Sequence, residues 1–517
     1  MSNFLLGLQN AFQPAMILLT FVGVAAGSAI GSLPGLTATM GVAVLLPLTF
    51  GMDATAALVL LVGVYIGAIY GGSISAILLR TPGTPAAAAT VLDGNALLQK
   101  GQAAKALSIS VIASFGGGIV STIMLVTLSP LLASAALRFS TPEFFGLAVF
   151  GLTIIASISG GNPVKGLLAG CLGLIVAMVG MDPITSTPRF TFGIVKLMSG
   201  LNVIPVLIGL FAVSEVLSQM ESIMRAQKKA AKITDHKIIN RKELRQILPT
   251  ILKSSLLGTF IGCIPGAGAD IASFVSYNEA RRSSKHPEQF GTGCLEGIAA
   301  PEAGNNGVTG GAMVPMLSLG VPGDAVTAIL LGALTIQGIQ PGPLIFQNNG
   351  PVVYGLFCTM FLGNIAMLIM GLSGIRLFSK IVEIPKQIIL PIILALSMVG
   401  SFAINNSVMD MWVALIFGVI GYFMKKANIP SSPAVLAIIL GPMAETNLRR
   451  SVIMYEGSFR FLWTRPITIA FLLLSVISMI SVIRTTKRAR ERSARLAQEQ
   501  QNAKNERDDT SHGQMEK

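Results

Sequence analysis

The chain has 517 residues, of which 52% are hydrophobic and only 12% charged, and its mean hydropathy is +0.70. Soluble domains carry roughly 25% charged residues, so this composition excludes a single soluble globule and points to a membrane protein. The formal net charge of +13 does not indicate nucleic-acid binding, because Lys and Arg cluster at Arg225–Lys253 and Arg484–Arg495 with no recognition motif or aromatic platform beside them.

Read in chain order, the sequence alternates long uncharged runs with short polar joints. No Asp, Glu, Lys or Arg precedes Asp53, and none occurs in Ala54–Leu79, Ala106–Leu137 or Ala325–Ile375. Each run exceeds the roughly 20 apolar residues needed to cross a bilayer. The first residues lack a cationic segment and a small-residue cleavage site, so the N-terminal apolar stretch is expected to remain as a span. With the shorter stretches Phe144–Val164, Gly166–Met181, Leu197–Ser214, Gln387–Met409 and Pro466–Ile483, the pattern predicts an all-α polytopic membrane protein of about twelve transmembrane helices.

The two halves of the chain echo one another. Gly31-Ser32-Leu33-Pro34-Gly35-Leu36-Thr37-Ala38 corresponds to Gly262-Cys263-Ile264-Pro265-Gly266-Ala267-Gly268-Ala269, and Leu79-Arg80-Thr81-Pro82-Gly83-Thr84 to Leu319-Gly320-Val321-Pro322-Gly323-Asp324. Fainter echoes pair Gly160-Gly161-Asn162-Pro163 with Asn405-Asn406-Ser407, and Met181-Asp182-Pro183 with Asn428-Ile429-Pro430. This predicts a first membrane repeat over 1–220, a cytoplasmic basic linker over 221–247 and a second repeat over 248–462. A final transmembrane helix over 463–484 and a cytoplasmic, partly disordered tail over 485–517 follow. If the linker and tail share one side and the final helix is extra, each repeat has an odd number of spans and the halves are inverted.

Proline and glycine within apolar runs break helices or turn hairpins, and such irregular backbone survives in a membrane where it lines a cavity. Pro34-Gly35 and Pro265-Gly266 are expected at the tips of re-entrant hairpins, and Pro82-Gly83 and Pro322-Gly323 at breaks in longer helices. A broken helix presents unpaired amides and about half a positive charge at its N-terminus, a setting for a carboxylate without a buried Lys or Arg. The candidate substrate-binding residues are therefore Pro34, Gly35, Thr37, Thr39, Thr81, Pro82, Gly83, Thr84, Pro265, Gly266, Gly268, Asn305, Asn306, Pro322 and Gly323. Asp270, Glu302 and Asp324 are candidates for coupling an ion, sodium or proton, because acids in apolar segments are costly and usually functional. Asp53, Asp93 and Glu296 are expected to reach the aqueous surface, and Arg80 either pairs with a carboxylate or extends to the interface. The plainer reading, that Gly and Pro only permit close packing and kinks, is outweighed by their recurrence in both halves.

Other chemistries find little support. Cys171, Cys263, Cys294 and Cys358 lack CxxC spacing and read as packing residues. His236, His286 and His512 lie in polar stretches outside any zinc pattern. Gly266-Ala267-Gly268 lacks the third glycine of a dinucleotide site, and the sequence has no GxxxxGK[ST] phosphate loop. No catalytic residue, metal site beyond sodium or organic cofactor is expected. An intramembrane enzyme is the least favoured class, and a carboxylate channel or passive scaffold the main alternative to a carrier.

At these motifs the chain resembles the large transmembrane subunit of the tripartite tricarboxylate transporter family. The resemblance rests on Leu33-Pro34-Gly35-Leu36-Thr37-Ala38-Thr39, Leu46-Pro47-Leu48-Thr49-Phe50-Gly51, Tyr70-Gly71-Gly72-Ser73-Ile74-Ser75, Thr81-Pro82-Gly83-Thr84-Pro85 and Asp93-Gly94. In the second half it rests on Ile264-Pro265-Gly266-Ala267-Gly268, Pro301-Glu302-Ala303, Asn305-Asn306 and Pro341-Gly342-Pro343. It implies ion-coupled uptake of citrate or other small carboxylates through the bacterial inner membrane. It also implies two partners, a periplasmic solute-binding protein and a small membrane subunit. Asn95-Ala96, Gln337 and Asp324 stand where the family more often has Tyr-Pro, His and a small polar residue, and these departures bear on substrate or ion choice.

Overall fold

A computed structural model describes residues 2–154, 163–222, 238–374, 380, 384–480 and 484. The Gly160-Gly161-Asn162 echo, most of the 221–247 linker, His236, His512 and the 485–517 tail lie outside the described residues. Apart from one short antiparallel ladder, Gly180–Met181 on Pro188–Arg189, the regular structure among the described residues is helical.

The first half runs through α1 (Ser2–Ala11), α2 (Pro14–Ser32), α3 (Ala38–Leu45), α4 (Ala54–Leu79), α5 (Thr90–Gln99), α6 (Ala103–Ala136), α7 (Thr141–Ile154) and α8 (Pro163–Ala177). It closes with α9 (Val203–Leu207) and α10 (Ser214–Ser222), joined by a π turn at Ile208–Val213. The second half contains α11 (Arg241–Gly262), α12 (Gly268–Ser283), α13 (Leu295–Gly311), α14 (Met313–Leu319), α15 (Ala325–Ile336), α16 (Ile345–Asn348) and α17 (Gly350–Ser373). After these come α18 (Lys386–Asn405), α19 (Val408–Lys426), α20 (Ser431–Met454), α21 (Phe461–Thr464) and α22 (Pro466–Ile480).

Among the described residues, seven helices are long and apolar enough to cross a membrane, and five shorter apolar helices of 10–17 residues accompany them. The shorter ones arise where a turn or break divides an apolar run, as at Ala38–Thr49, which extends α3 by one further turn, and at α15. α4 lies at the centre: every residue from Ala56 to Leu78 is buried. By contrast, α18 and α19 expose Ile388, Ile392, Val399, Ile416 and Phe423 outward, the apolar exterior a protein needs where lipid is its solvent.

Close approach in the core depends on glycine. Gly23, Gly27 and Gly31 of α2 face Gly63, Gly67 and Gly71 of α4 so tightly that a Cβ at Gly27 would strike the Val64 carbonyl, and one at Gly67 the Val24 carbonyl. The second half repeats the device, since a Cβ at Gly258 of α11 would strike the Gly304 carbonyl of α13 and one at Gly311 the Thr259 carbonyl. Small residues of this kind let membrane helices pack backbone to backbone.

Two acids anchor the loops. Asp93 was expected at the aqueous surface; instead it is 0% exposed. Its carboxylate accepts from the amides of Gly291 (2.9 Å), Gly293 (2.8 Å) and Cys294 (2.8 Å) and from the Tyr277 hydroxyl (2.9 Å). The loop before α13 therefore folds around it, and these four donors compensate the carboxylate for lost water. Asp93→Ala should lower stability by about 3–5 kcal/mol, because it leaves buried donors unpaired. An unchanged unfolding midpoint for the detergent-purified variant would contradict this. Asp182, in the loop after α8, accepts from the Ile184 and Thr185 amides, each at 2.8 Å, and pairs with Arg449 at 2.5 Å. The Thr185 amide, then Arg449, hold its carboxyl well below the usual carboxylate range. That link between the loop and α20 therefore persists in mild acid and is lost only as pH falls through this lowered value.

Candidate functional site

Each predicted tip is a four-residue turn. In Leu33-Pro34-Gly35-Leu36 the Leu36 amide donates to the Leu33 carbonyl at 3.1 Å, with Gly35 at φ 89°. In Ile264-Pro265-Gly266-Ala267 the Ala267 amide donates to the Ile264 carbonyl at 3.1 Å, with Gly266 at φ 80°. Proline supplies the fixed φ of the second turn position and glycine the positive φ of the third, the requirement of a type II turn. The turns connect α2 to α3 and α11 to α12.

Each predicted break ends a helix in a left-handed residue, Arg80 after α4 (φ 54°) and Gly320 after α14 (φ 72°). The chain then restarts at the short Pro85–Ala87 turn leading to α5, and at α15. Turn and break are tied together in both halves by the same bond. The Gly35 amide donates to the Gly83 carbonyl at 3.2 Å, and the Gly266 amide to the Gly323 carbonyl at 2.6 Å. Gly83 packs on the Gly31 carbonyl and Gly323 on the Gly262 carbonyl, so neither position has space for a side chain.

The two locks face a common cavity of about 200 Å³, lined from the first half by Thr37, Thr39 and Thr84 and from the second by Gly266, Gly268, Asp270 and Asp324. Three helix starts converge there, those of α3, α12 and α15 at residues 37–39, 266–270 and 324–326, beside the short Pro85–Ala87 turn. Thr37 caps α3 by accepting from the Met40 amide at 3.1 Å, and Asp324 caps α15 by accepting from the Thr327 amide at 2.8 Å. α12 begins with no side-chain cap. The first amides of a helix have no partner within it and carry partial positive charge, which favours an anion at the uncapped start of α12, while Asp270 and Asp324 add negative charge to the same wall. Its volume fits a small solute.

The remaining candidates fall into two groups. Pro34, Gly35, Pro82, Gly83, Pro265, Pro322 and Gly323 build the frame and do not line the cavity; Thr81 borders the first break, its hydroxyl donating to the Leu79 carbonyl at 3.4 Å. Glu302, Asn305 and Asn306 are each 0% exposed and lie behind the first break. The Asn305 amide donates to the Ala86 carbonyl at 3.1 Å, while Glu302 accepts from the hydroxyls of Thr90 (2.5 Å) and Ser114 (3.1 Å). Arg80 is exposed and is not part of the lining.

Several contributors escaped the sequence reading. Tyr65, buried in α4, donates to Asp324 at 2.6 Å across 259 positions, tying the first half to the second break. Phe211 of the π turn and Ser432 and Leu436 of α20 complete the lining. A π turn is a recognised mark of functional sites, yet nothing in the local sequence announces this one.

These features define a multi-pass helical membrane protein whose turns and helix breaks enclose a solute-sized cavity. The chain belongs to the tripartite tricarboxylate transporter TctA family, which matches residues 17–436. It is similar to the "uncharacterized 52.8 kDa protein in TAR-I ttuC' 3'region" of Agrobacterium vitis, with 35% identity over 475 residues covering 92% of this chain and 94% of that protein. It is also similar to the "uncharacterized protein in TAR-II ttuC' 3'region" of the same organism, with 34% identity over 220 residues covering 43% of this chain and 91% of that one. No solved structure matches it. Membership of a tripartite family implies that the chain works with partner proteins.

Proposed function

We propose that the chain is the large permease subunit of a binding-protein-dependent transporter in the bacterial inner membrane. It takes up tricarboxylates or other small organic carboxylates by symport with sodium or protons. The observation that carries this reading is the convergence of three helix starts, one from the first half and two from the second, on one cavity. That arrangement supplies charge complementarity to a carboxylate from backbone amides, without a buried cation that would have to cross with it.

In this reading the halves are inverted repeats and the two turns are tips of re-entrant hairpins. The matched bonds Gly35 to Gly83 and Gly266 to Gly323 support a common ancestral unit. The basic linker and tail lie in the cytoplasm, where the positive-inside rule puts them, and a periplasmic solute-binding protein and a small membrane subunit complete the machine. Transport alternates by moving the paired turns and breaks relative to their surroundings.

The binding protein is expected to be obligatory. Proteoliposomes holding the chain and its small subunit should accumulate labelled citrate, or whichever carboxylate the binding protein carries, only when that protein is added on the periplasmic side. Equal uptake without it would overturn the tripartite reading.

A further inference from the structure

The two halves differ at one pair of corresponding connections. In the second half Asn428-Ile429-Pro430 leads straight from α19 into α20 at Ser431. In the first, the matching Met181-Asp182-Pro183 leads into residues 184–202 before α9 begins at Val203. The first half therefore carries a segment that the repeated membrane unit does not need.

This segment has a fixed base and an apolar exterior. The base is the ladder of Gly180–Met181 on Pro188–Arg189, with Arg189 paired to Glu445 of α20 at 2.7 Å and Asp182 held by Arg449. Beyond it the backbones of Ser186, Phe190 and Phe192 are left-handed, at φ 55°, 49° and 49°. Bulky residues avoid that conformation, and it persists where the surrounding structure imposes it. Leu197 turns inward, whereas Phe192 is 82% exposed and Val195 78%. Lys196, next to Val195, and Arg450, next to Arg449, are exposed and form no ion pair among the described residues.

Its place relative to the membrane follows from ion pairs at the other end. α19 ends in Lys425 and Lys426, which pair with Glu215 (2.6 Å) and Glu221 (3.3 Å) of α10, the helix that runs into the basic linker. The span Val203–Glu221 crosses from there, so residues 184–202 lie on the side opposite the linker. Glu445 and Arg449 agree, standing about 20–27 Å along α20 from its start at 1.5 Å per residue. With the linker cytoplasmic, the segment is periplasmic.

We propose that the 184–199 loop is the surface on which the periplasmic solute-binding protein docks, with Phe192 and Val195 as its apolar anchors. The facing patch of that protein is apolar with an acidic rim, the complement of Lys196 and Arg450. Exposed aromatic and aliphatic anchors on a rigid, charge-rimmed base are the makings of a protein hot spot. A loop that lies in lipid headgroups is instead marked by Trp or Tyr, and residues 178–202 contain neither. The loop also rests on the elements that reach the central cavity: α20 carries Glu445 and Arg449 as well as the lining residues Ser432 and Leu436, and the π turn with Phe211 follows α9 directly. The proposal rests on the tripartite reading above and on its placement of the linker.

The test uses the full chain with its small subunit in lipid nanodiscs and measures the affinity of the cognate solute-binding protein. The double variant Phe192→Ser/Val195→Ser should bind it about thirtyfold or more weakly, the scale of a lost hot spot. Lys196→Glu should slow association by about fivefold or more and flatten its salt dependence, while the surface control Glu288→Gln changes nothing. Both loop variants replace exposed side chains, so their unfolding midpoints should match the unmodified chain. In proteoliposomes the double variant should need about thirtyfold more binding protein for half-maximal uptake and reach the same maximum, a split that damage to the transport path would not give. Unchanged affinity in the double variant, while the unmodified chain still requires the binding protein, would overturn the docking loop and leave the tripartite reading standing. Loss of the small subunit from the double variant with unchanged affinity would assign the loop to that subunit and equally overturn the proposal. Equal uptake by the unmodified chain without any binding protein would overturn the tripartite reading and this proposal together.

Discussion

Gly83→Val and Gly323→Val, made separately, are each expected to reduce carboxylate uptake by about a hundredfold or more, the cost of displacing a binding group by about 1 Å. Both glycines sit where turn and break are bonded together, and a side chain there meets backbone rather than a mobile group. At Gly323 an added Cβ would lie 2.5 Å from the Gly262 carbonyl oxygen and 2.5 Å from the Ala312 Cα; at Gly83 it would strike the Gly31 carbonyl. Relief requires α2 or α11 to move away from its break, which shifts the segments that line the cavity. Overpacking of this sort costs about 1–3 kcal/mol in stability, so both variants should insert and purify, with lowered unfolding midpoints. Pro82→Ala, which leaves both the glycine contact and the Gly35 to Gly83 bond available, should be far milder. Uptake by either valine variant within twofold of the unmodified chain would mean that the locks do not position the site.

The effect should be similar in the two halves, because each lock contributes the same parts to the cavity. The second half is the more tightly drawn, with its bond at 2.6 Å against 3.2 Å in the first. Gly323→Val is therefore expected to lower the unfolding midpoint at least as much as Gly83→Val.

Much of this frame was legible in the sequence because its information is local. Proline followed by glycine specifies a type II turn through the φ values of two adjacent residues, and the same pair after an apolar run ends a helix. Recurrence of both pairs in order then singled out the four segments that meet at the cavity, with Thr37, Thr39, Thr84, Asp270 and Asp324 among the lining. Charge segregation likewise made membrane insertion plain.

What the sequence did not reveal depends on partners far along the chain. Asp93 looked like a loop acid, yet its donors lie 184 to 201 positions away, and only the folded loop before α13 makes its burial affordable. Asn305 and Asn306, polar residues beside Glu302, looked like ligands; they pack behind the first break because α13 turns that face toward α6 and the 85–87 segment. Tyr65 sits in a run of apolar residues, where nothing local distinguishes a hydroxyl that holds Asp324 from an aromatic that fills space. Counting spans by apolar length met a physical limit as well, since breaks divide some runs into helices too short to be recognised as spans by length.

Whether the cavity belongs to an ion-driven carrier is decided by uptake of labelled carboxylate into proteoliposomes containing the chain, its small subunit and the binding protein, with sodium and proton gradients imposed or collapsed independently. An ion-driven carrier accumulates the carboxylate above equilibrium when an inward gradient of the coupling ion is present. A tenfold gradient stores about 1.4 kcal/mol per ion, enough for about tenfold accumulation for each electroneutrally coupled ion. Collapse of both gradients with ionophores should reduce uptake to the background of empty vesicles, with or without ATP. Accumulation that continued on ATP alone, with both gradients collapsed, would contradict it.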